Sequence, residues 1–534
     1  MMQLPLVSTY PHLSIALLVG AAFPIFIALA FGHWKIPPSF PKGIPRAGGR
    51  KIFGGLRACF RGWPSGRPSL SEGYNEFNRH DRLFIYANGN LRPQAILPVK
   101  DFEWVIRQPD SILSPQEVMN DSLSFKHLFP IGRSALDEKI ANVVVSQFLT
   151  QNLDKIQCDL ADELRQNIDR EFGKDCHNWQ PVHLMEAMQR VVLRTSSRIS
   201  WGLPLCHDAH VRSLARLINF YAGAMIVCGQ LIPWFLQPLL STCLRVPLYF
   251  ARKRVWATTT QLVKEWLAQI EQEEREQISE EDSRVPYNLV TSFIRVSRRL
   301  YGTEELNKEK LSVVINLFAL LPFMTTVPSS SAAILDIVSS PPDLELYQQL
   351  RQEATNVLSS EREWVVPTSF KKLRYTDSAI RETLRLAPVT LHASNREVIH
   401  PSGITLPTGQ HLPRGMWVAA STLDIHTDER FYAEGQSYKP FRYVKEQTNE
   451  DGTGMPKQKL TRVAATSKYL PFGSGRHACP GRHFGVHLLK MIIAHIVLNY
   501  DMERLEKRPE NIICGEHVLV PPSATVRVRR REVN

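Results

Sequence analysis

Apolar residues recur every three or four positions through long stretches of the chain, the spacing that gives a helix one buried face. Segments 136 to 170, 184 to 203 and 248 to 275 follow it, as does "FGVHLLKMIIAHIVLNY" from Phe484 onward. Residues 83 to 100 read instead as strand, turn and strand, with Asn88 and Gly89 at the tip. Between residues 220 and 244 the chain is apolar but interrupted by Pro233 and Pro238. That stretch is either a buried helix pair or a surface that dips into lipid. The run "EQEEREQISEEDSR" predicts a solvated connection to which we assign no function. The chain shows no internal repeat.

From Leu13 to Phe31 no residue is charged, and a helix of that length, at about 1.5 Å per residue, spans the hydrocarbon core of a bilayer. No basic segment precedes it and no small-residue cleavage site follows, which favours a single membrane-spanning helix over a cleaved signal. Lys35, Lys42, Arg46, Arg50 and Lys51 lie after the span and none before it, placing the rest of the chain in the cytosol. Pro37, Pro38, Pro41 and Pro45 stiffen the connection. The expected organisation is an anchor over 1–34, a Pro-rich linker over 35–50 and one domain over 51–534. A net charge of +12 and a pI near 9.3 call for an anionic partner. With no basic stripe, zinc finger or aromatic RNA motif, a membrane surface or an acidic redox protein fits better than nucleic acid.

The chemistry concentrates in "PFGSGRHACPGRHFG", residues 471 to 485. Gly473, Gly475 and Gly481 allow tight turns that bring backbone N–H groups toward Cys479, and a helix N-terminus follows at once. With Arg476, His477 and Arg482 alongside, the loop is expected to lower the Cys479 pKa and present a thiolate. That thiolate is open to three roles: nucleophile, zinc ligand or haem ligand. The eight cysteines are scattered without paired spacing, which removes a zinc cluster around Cys479 and a disulfide framework, and points to a reducing compartment. A nucleophile needs a base, for which His477 and His483 are candidates. An inert buried cysteine is the plain alternative.

Three motifs in order resemble those of the cytochromes P450. "FGSGRHACPG" matches the cysteine loop at Phe472, Gly475, His477, Cys479 and Gly481; "AIRETLRLAP" supplies the E-x-x-R pair Glu382 and Arg385; "SYKPFRY" supplies Pro440 and Arg442. The resemblance covers roughly residues 35 to 525. It implies a mainly α fold with small β-sheets, in one haem domain behind an N-terminal single-pass transmembrane helix, at the endoplasmic reticulum membrane. It implies heme b (iron protoporphyrin IX) with Cys479 as the axial metal ligand, Phe472 in the cofactor-binding loop, and His477 and Arg396 at the propionates. The family's W-x-x-x-R helix is not recognisable, which leaves Lys126 or Arg133 as candidates for its role. Glu382 and Arg385 share a helix face and, with Arg442, form a structural charge cluster expected to be buried.

In "LFALLPFMTTVPSSSAAILDIVSSPPD" the helix over the haem carries Thr325 at the family's threonine position and Met324 where an acid is usual. "TTVPSSS" is similar to the N-T-x-P segment of the sterol 7α-hydroxylase and prostacyclin synthase branch, and Pro328 is expected to open the helix there. The resemblance implies a monooxygenase with Thr325 and Thr326 as catalytic hydroxyls, using O2 and electrons from NADPH through NADPH-cytochrome P450 reductase, with cytochrome b5 as a further partner. The crowded cysteine loop resembles those of filamentous-fungal secondary metabolism, whose substrates are terpenoids, steroids or polyketide-derived compounds. A haem-thiolate isomerase or dehydratase needing no reductase, and a non-catalytic haem sensor, are the alternatives.

Overall fold

The computed structural model describes residues 41, 43–47, 65–87, 90–122, 138–233, 236–302, 308–444 and 466–532. The expected anchor, the hairpin tip at Asn88 and Gly89, and both Lys126 and Arg133 lie outside the described residues.

Helices dominate, and the apolar spacing places most of them. Helix α1 (Leu153–Phe172) buries Ile156, Leu160, Leu164, Ile168 and Phe172 as one stripe, and packs on α2 (Leu184–Trp201). Helices α3 (Ala209–Leu231) and α4 (Gln237–Arg275) lie against each other. They are followed by α5 (Leu289–Tyr301), the long α6 (Lys308–Val338), α7 (Leu346–Val357), α8 (Arg374–Leu386) and α9 (Arg482–Asn499). Helix α9 packs against α1, α6, α7 and α8. It is buried on nearly every side from Phe484 to Val497, which accounts for its lack of a polar face. Local chemistry sets the starts. The Asp208 carboxylate accepts the Val211 N–H at 2.8 Å to cap α3, and Asn288 and Thr291 form a reciprocal capping box on α5.

Strands form small sheets beside the helical body. In the largest, β1 (Phe84–Ala87), β2 (Pro93–Ile96), β3 (Leu113–Ser114), β5 (His392–Val398) and β6 (Trp417–Ser421) lie in the order β1-β2-β6-β5-β3. The β1–β2 pair is the predicted hairpin, in antiparallel register from Phe84–Ile96 to Ala87–Pro93. Strand β5 is irregular between Ala393 and Arg396, where Ser394 takes a left-handed φ of 54°. Strand β4 (Gln180–His183) pairs with the chain's last strand, Thr525–Arg530.

Three expectations need correction. Helix α4 continues to Arg275, so the polar run begins inside it. Within that run Glu273 is buried, accepting hydrogen bonds from Arg295 at 2.9 Å and Ser283 at 2.7 Å; it is a structural anion, not a solvated one. Pro328 does not open α6, which runs on to Val338. Pro328 instead denies the Met324 carbonyl its usual i+4 donor while neighbouring turns hold the helix together. The 220 to 244 stretch is a helix pair, as the first of its two readings has it. Pro238 sits in the first turn of α4 after the break that ends α3, and the two helices bury their facing sides. Phe220 (67%) on α3 and Val246 (55%), Tyr249 (50%) and Phe250 (58%) on α4 are exposed, the last three beyond that stretch.

Candidate active site

The ion cluster beneath the cysteine loop is built on α8. Glu382 and Arg385, one turn apart, are both fully buried, and their carboxylate and guanidinium meet in two bonds of 2.7 and 2.8 Å. Arg442 donates to the same carboxylate at 3.0 and 3.1 Å, and the Lys439 backbone N–H does so at 3.0 Å. Arg385 also donates to the carbonyls of His426, Gly435 and Ser437. The three side chains form one cluster in which a single carboxylate is shared by two guanidiniums, whose remaining N–H groups donate to backbone carbonyls.

Two residues not singled out in the sequence carry this frame to the loop. The His426 ring lies between the Arg385 carbonyl, 2.8 Å from Nδ1, and the Leu470 N–H, which donates to Nε2 at 2.8 Å. An N–H can only donate and a carbonyl only accept, so the ring is the neutral Nδ1–H tautomer. Burial, with the Arg385 charge adding to it, holds the His426 pKa down to about 3. The second residue is Ser394, at the irregularity of β5, whose Oγ accepts the Ser474 N–H at 2.8 Å. The only sequence signal for Ser394 is its place beside Arg396, and His426 carries none.

Within the loop, Gly473 and Gly475 adopt φ of 71° and 70°, conformations that disfavour any side chain. The Cys479 N–H donates to the Phe472 carbonyl at 2.8 Å, closing the loop on itself. The Arg482 N–H donates to the Cys479 carbonyl at 3.4 Å, α9 starts at Arg482, and the Gly481 and Arg482 backbones both act to lower the Cys479 pKa. These features and the Arg482 charge lower the thiol pKa as expected, but burial outweighs them and the net shift is upward. Desolvation disfavours an uncompensated thiolate, which makes the sulfur a site for a cationic partner.

The remaining candidates are distributed around it. Phe472 is half-buried against the main core. Arg396 is buried on β5, with Nη1 donating to the Asn395 carbonyl at 3.0 Å. His477 Nε2 lies 2.8 Å from Asp110 Oδ1, and Arg476 reaches the same carboxylate at 3.2 Å. Thr325 is exposed on α6, immediately before a buried run that starts with Thr326 and reaches Val338.

The donor set fits a haem iron. Cys479 is surrounded by much of the fold, yet it is accessible to solvent and so to a partner. A Cβ added at Gly481 would sit 3.7 Å from Val145 and 4.0 Å from Sγ, and one at Gly485 would meet nothing within 4 Å, so neither position is crowded. A sulfur at a helix start, on a loop tied through His426 and Ser394 to a buried ion cluster and a sheet, suits a haem-thiolate protein.

The comparisons agree. The Cytochrome P450 family profile matches residues 136–527. The cytochrome P450 monooxygenase polB of Polytolypa hystricis is 34% identical over 508 residues, covering 93% of this chain and 95% of that protein. The cytochrome P450 monooxygenase efuH of Hormonema carpetanum is also 34% identical, over 514 residues, covering 94% of this chain and 90% of that protein. The cytochrome P450 monooxygenase lnaC of Aspergillus flavus is 30% identical over 500 residues, covering 93% of each. The chain belongs to the cytochrome P450 family and is a monooxygenase.

Proposed function

We propose that this monooxygenase oxidises a hydrophobic small molecule, of terpenoid, steroid or polyketide-derived class, in fungal secondary metabolism. Its electrons come from NADPH through NADPH-cytochrome P450 reductase, with cytochrome b5 as an auxiliary donor. The chain works at the endoplasmic reticulum membrane with its domain in the cytosol. The observation that carries the substrate class is the apolar outer side of α3 and α4, with Phe220, Val246, Tyr249 and Phe250 exposed. Such a surface suits contact with lipid, where a hydrophobic substrate is concentrated. Helix α3 is also long and apolar enough to enter a membrane, and the net charge of +12 favours an anionic lipid face. The fungal sources of the relatives support the metabolic setting.

Cys479 would hold heme b, with Arg396 and His477 toward its propionates and Phe472 in the supporting loop. Bound there, the group supplies O2 activation and transfer of one oxygen atom to an apolar C–H bond. The protein's part is positional and protonic. The Gly481 and Arg482 N–H groups moderate charge on Sγ, and the Glu382, Arg385 and Arg442 cluster fixes the loop. The Thr325 hydroxyl, with Thr326 beside it, passes protons from solvent, and the Met324 carbonyl freed by Pro328 offers an acceptor for a water in the same turn.

The test is expression in a fungal host with and without this chain, followed by metabolite comparison and then turnover in membranes with reductase. One new oxygen in an apolar metabolite, dependent on NADPH and O2, is expected. Cys479→Ala is expected to lose both that product and the reduced-CO absorbance of thiolate haem. Turnover without NADPH, or a hydrophilic substrate, overturns the reading.

A further inference from the structure

A second group of metal-binding atoms lies away from the cysteine loop, and we propose that it is a structural zinc site. Its residues are Glu163 on α1 and the neighbours Cys206 and His207, in the 3-10 turn Leu205–His207 between α2 and α3. One oxygen of Glu163, the sulfur of Cys206 and one ring nitrogen of His207 all lie within 4.8 Å of one another. The His207 Nε2 to Glu163 Oε2 distance is 3.0 Å.

The surroundings suit a cation more than a bare hydrogen bond. Glu163 and Cys206 are buried, 9% and 1% exposed. Glu163 is held from behind by Asn167, whose Nδ2 donates to Oε1 at 2.8 Å and leaves Oε2 turned toward His207. A carboxylate oriented in this way by an outer hydrogen bond is the usual arrangement at a metal centre. A hydrogen bond between Glu163 and His207 does not need a buried sulfur beside it, whereas a metal gives all three donors one partner. The nearby Arg198 guanidinium is engaged by Asp159 at 2.6 Å.

The donor types choose the ion. A sulfur, an imidazole and one carboxylate oxygen suit zinc and not magnesium or calcium, which require oxygen shells. Tetrahedral zinc, with bonds of about 2.3 Å to sulfur and about 2.0–2.2 Å to nitrogen and oxygen, separates its donors by roughly 3.3–3.7 Å. The present spacing needs only small side-chain adjustments to meet that. The Cys206 S–H proton leaves to water as the zinc–sulfur bond forms, so a thiolate, a carboxylate and a neutral imidazole balance the two positive charges. His207 is exposed, which leaves an entry path and room for a water as fourth ligand. Zinc here would pin the turn before α3, and with it the start of that helix, to α1. The sequence does not reveal the site, because Glu163 comes from more than one helix earlier and no metal-ligand spacing joins it to Cys206.

The test uses the full, haem-loaded chain without an affinity tag, dialysed against zinc-buffered solution. One zinc per chain by elemental mass spectrometry is expected, with a zinc-edge X-ray absorption shell containing one sulfur at about 2.3 Å. His207→Asn, at an exposed position, is expected to lose the zinc while keeping its haem; Cys206→Ser should do the same. Zinc should raise the thermal midpoint of the parent chain and not that of His207→Asn. No zinc retained, a shell without sulfur, or equal zinc in His207→Asn would mean an adventitious ion only and overturn the proposal. Because His207→Asn and the absorption shell decide alone, poor folding of Cys206→Ser does not block the answer.

Discussion

Nε2 of His426 accepts the Leu470 N–H at 2.8 Å, and this bond joins the buried Arg385 cluster to the start of the cysteine loop. The bond requires a neutral ring, since a proton on Nε2 would face the N–H it now accepts. The His426 pKa is depressed to about 3, so the unfolded chain, near pKa 6.5, binds the extra proton more readily than the folded one. The stability from this residue is present above about pH 6.5 and is lost as pH falls toward 3. Burial holds His487 down to about 3 as well and lowers His495 and His517, so the effects share one sign. His426 and His487 each cost up to about 1.4 kcal/mol per pH unit over that window. Thermal midpoints measured from pH 8 to pH 5 should therefore fall on the acid side, together with the thiolate-haem absorbance. A flat profile would show that these rings are not held neutral.

Ser394 makes a separable contribution. It supplies both a left-handed backbone, φ 54°, and the acceptor for the Ser474 N–H. Ser394→Gly keeps the first and loses the second; Ser394→Asn keeps both, since asparagine tolerates that conformation and has an acceptor oxygen. Ser394→Gly should cost about 1 kcal/mol and shift the haem reduction potential by loosening the loop, and Ser394→Asn should restore it. Equal potentials in the parent and Ser394→Gly would remove the hydrogen bond from the loop's support.

For the ion cluster the sharpest change is Glu382→Gln, which keeps the shape and removes the charge. Arg385 is fully buried and Arg442 is 14% exposed, and the variant leaves both without their carboxylate. The expected cost is about 3–5 kcal/mol, seen as haem-poor protein and a lower denaturant midpoint. Full haem loading at parental stability would mean that the Glu382 charge does not support the loop.

What the sequence disclosed and what it hid divide along a physical line. Cys479 with its glycines, and Glu382 with Arg385, are local patterns whose chemistry shows in a few adjacent residues. Arg442 followed because its motif is short and specific. His426 and Ser394 act through single backbone hydrogen bonds to Leu470 and Ser474, 44 and 80 residues away, and neither bond leaves a mark in composition or spacing. The direction of the Cys479 shift is hidden for a related reason. Glycines, a helix start and arginines can be read from a sequence, whereas the desolvation that opposes them depends on everything packed around the loop. Glu273 illustrates the same limit: an acidic run looks solvated until Arg295, 22 residues on, folds back on it.

Thr325 carries the last prediction, which bears on how protons reach the reacting oxygen. It is exposed on α6 at the edge of a long buried run, and Met324 beside it has no proton to give. The Thr325 hydroxyl can donate and accept at once, so it can hand a proton on while taking another from water. Thr325→Ala removes that relay. NADPH consumption should continue while product per NADPH falls by roughly tenfold or more and hydrogen peroxide rises by the difference. Thr325→Asn, whose amide can hold a water in the same turn, should recover part of the coupling, and Thr326→Ala, altering a buried hydroxyl, should lose less. The three variants should bind haem alike, so the reduced-CO absorbance separates a lost relay from a damaged fold. If Thr325→Ala keeps the parental ratio of product to NADPH, protons arrive by another route and Thr325 has no part in the reaction.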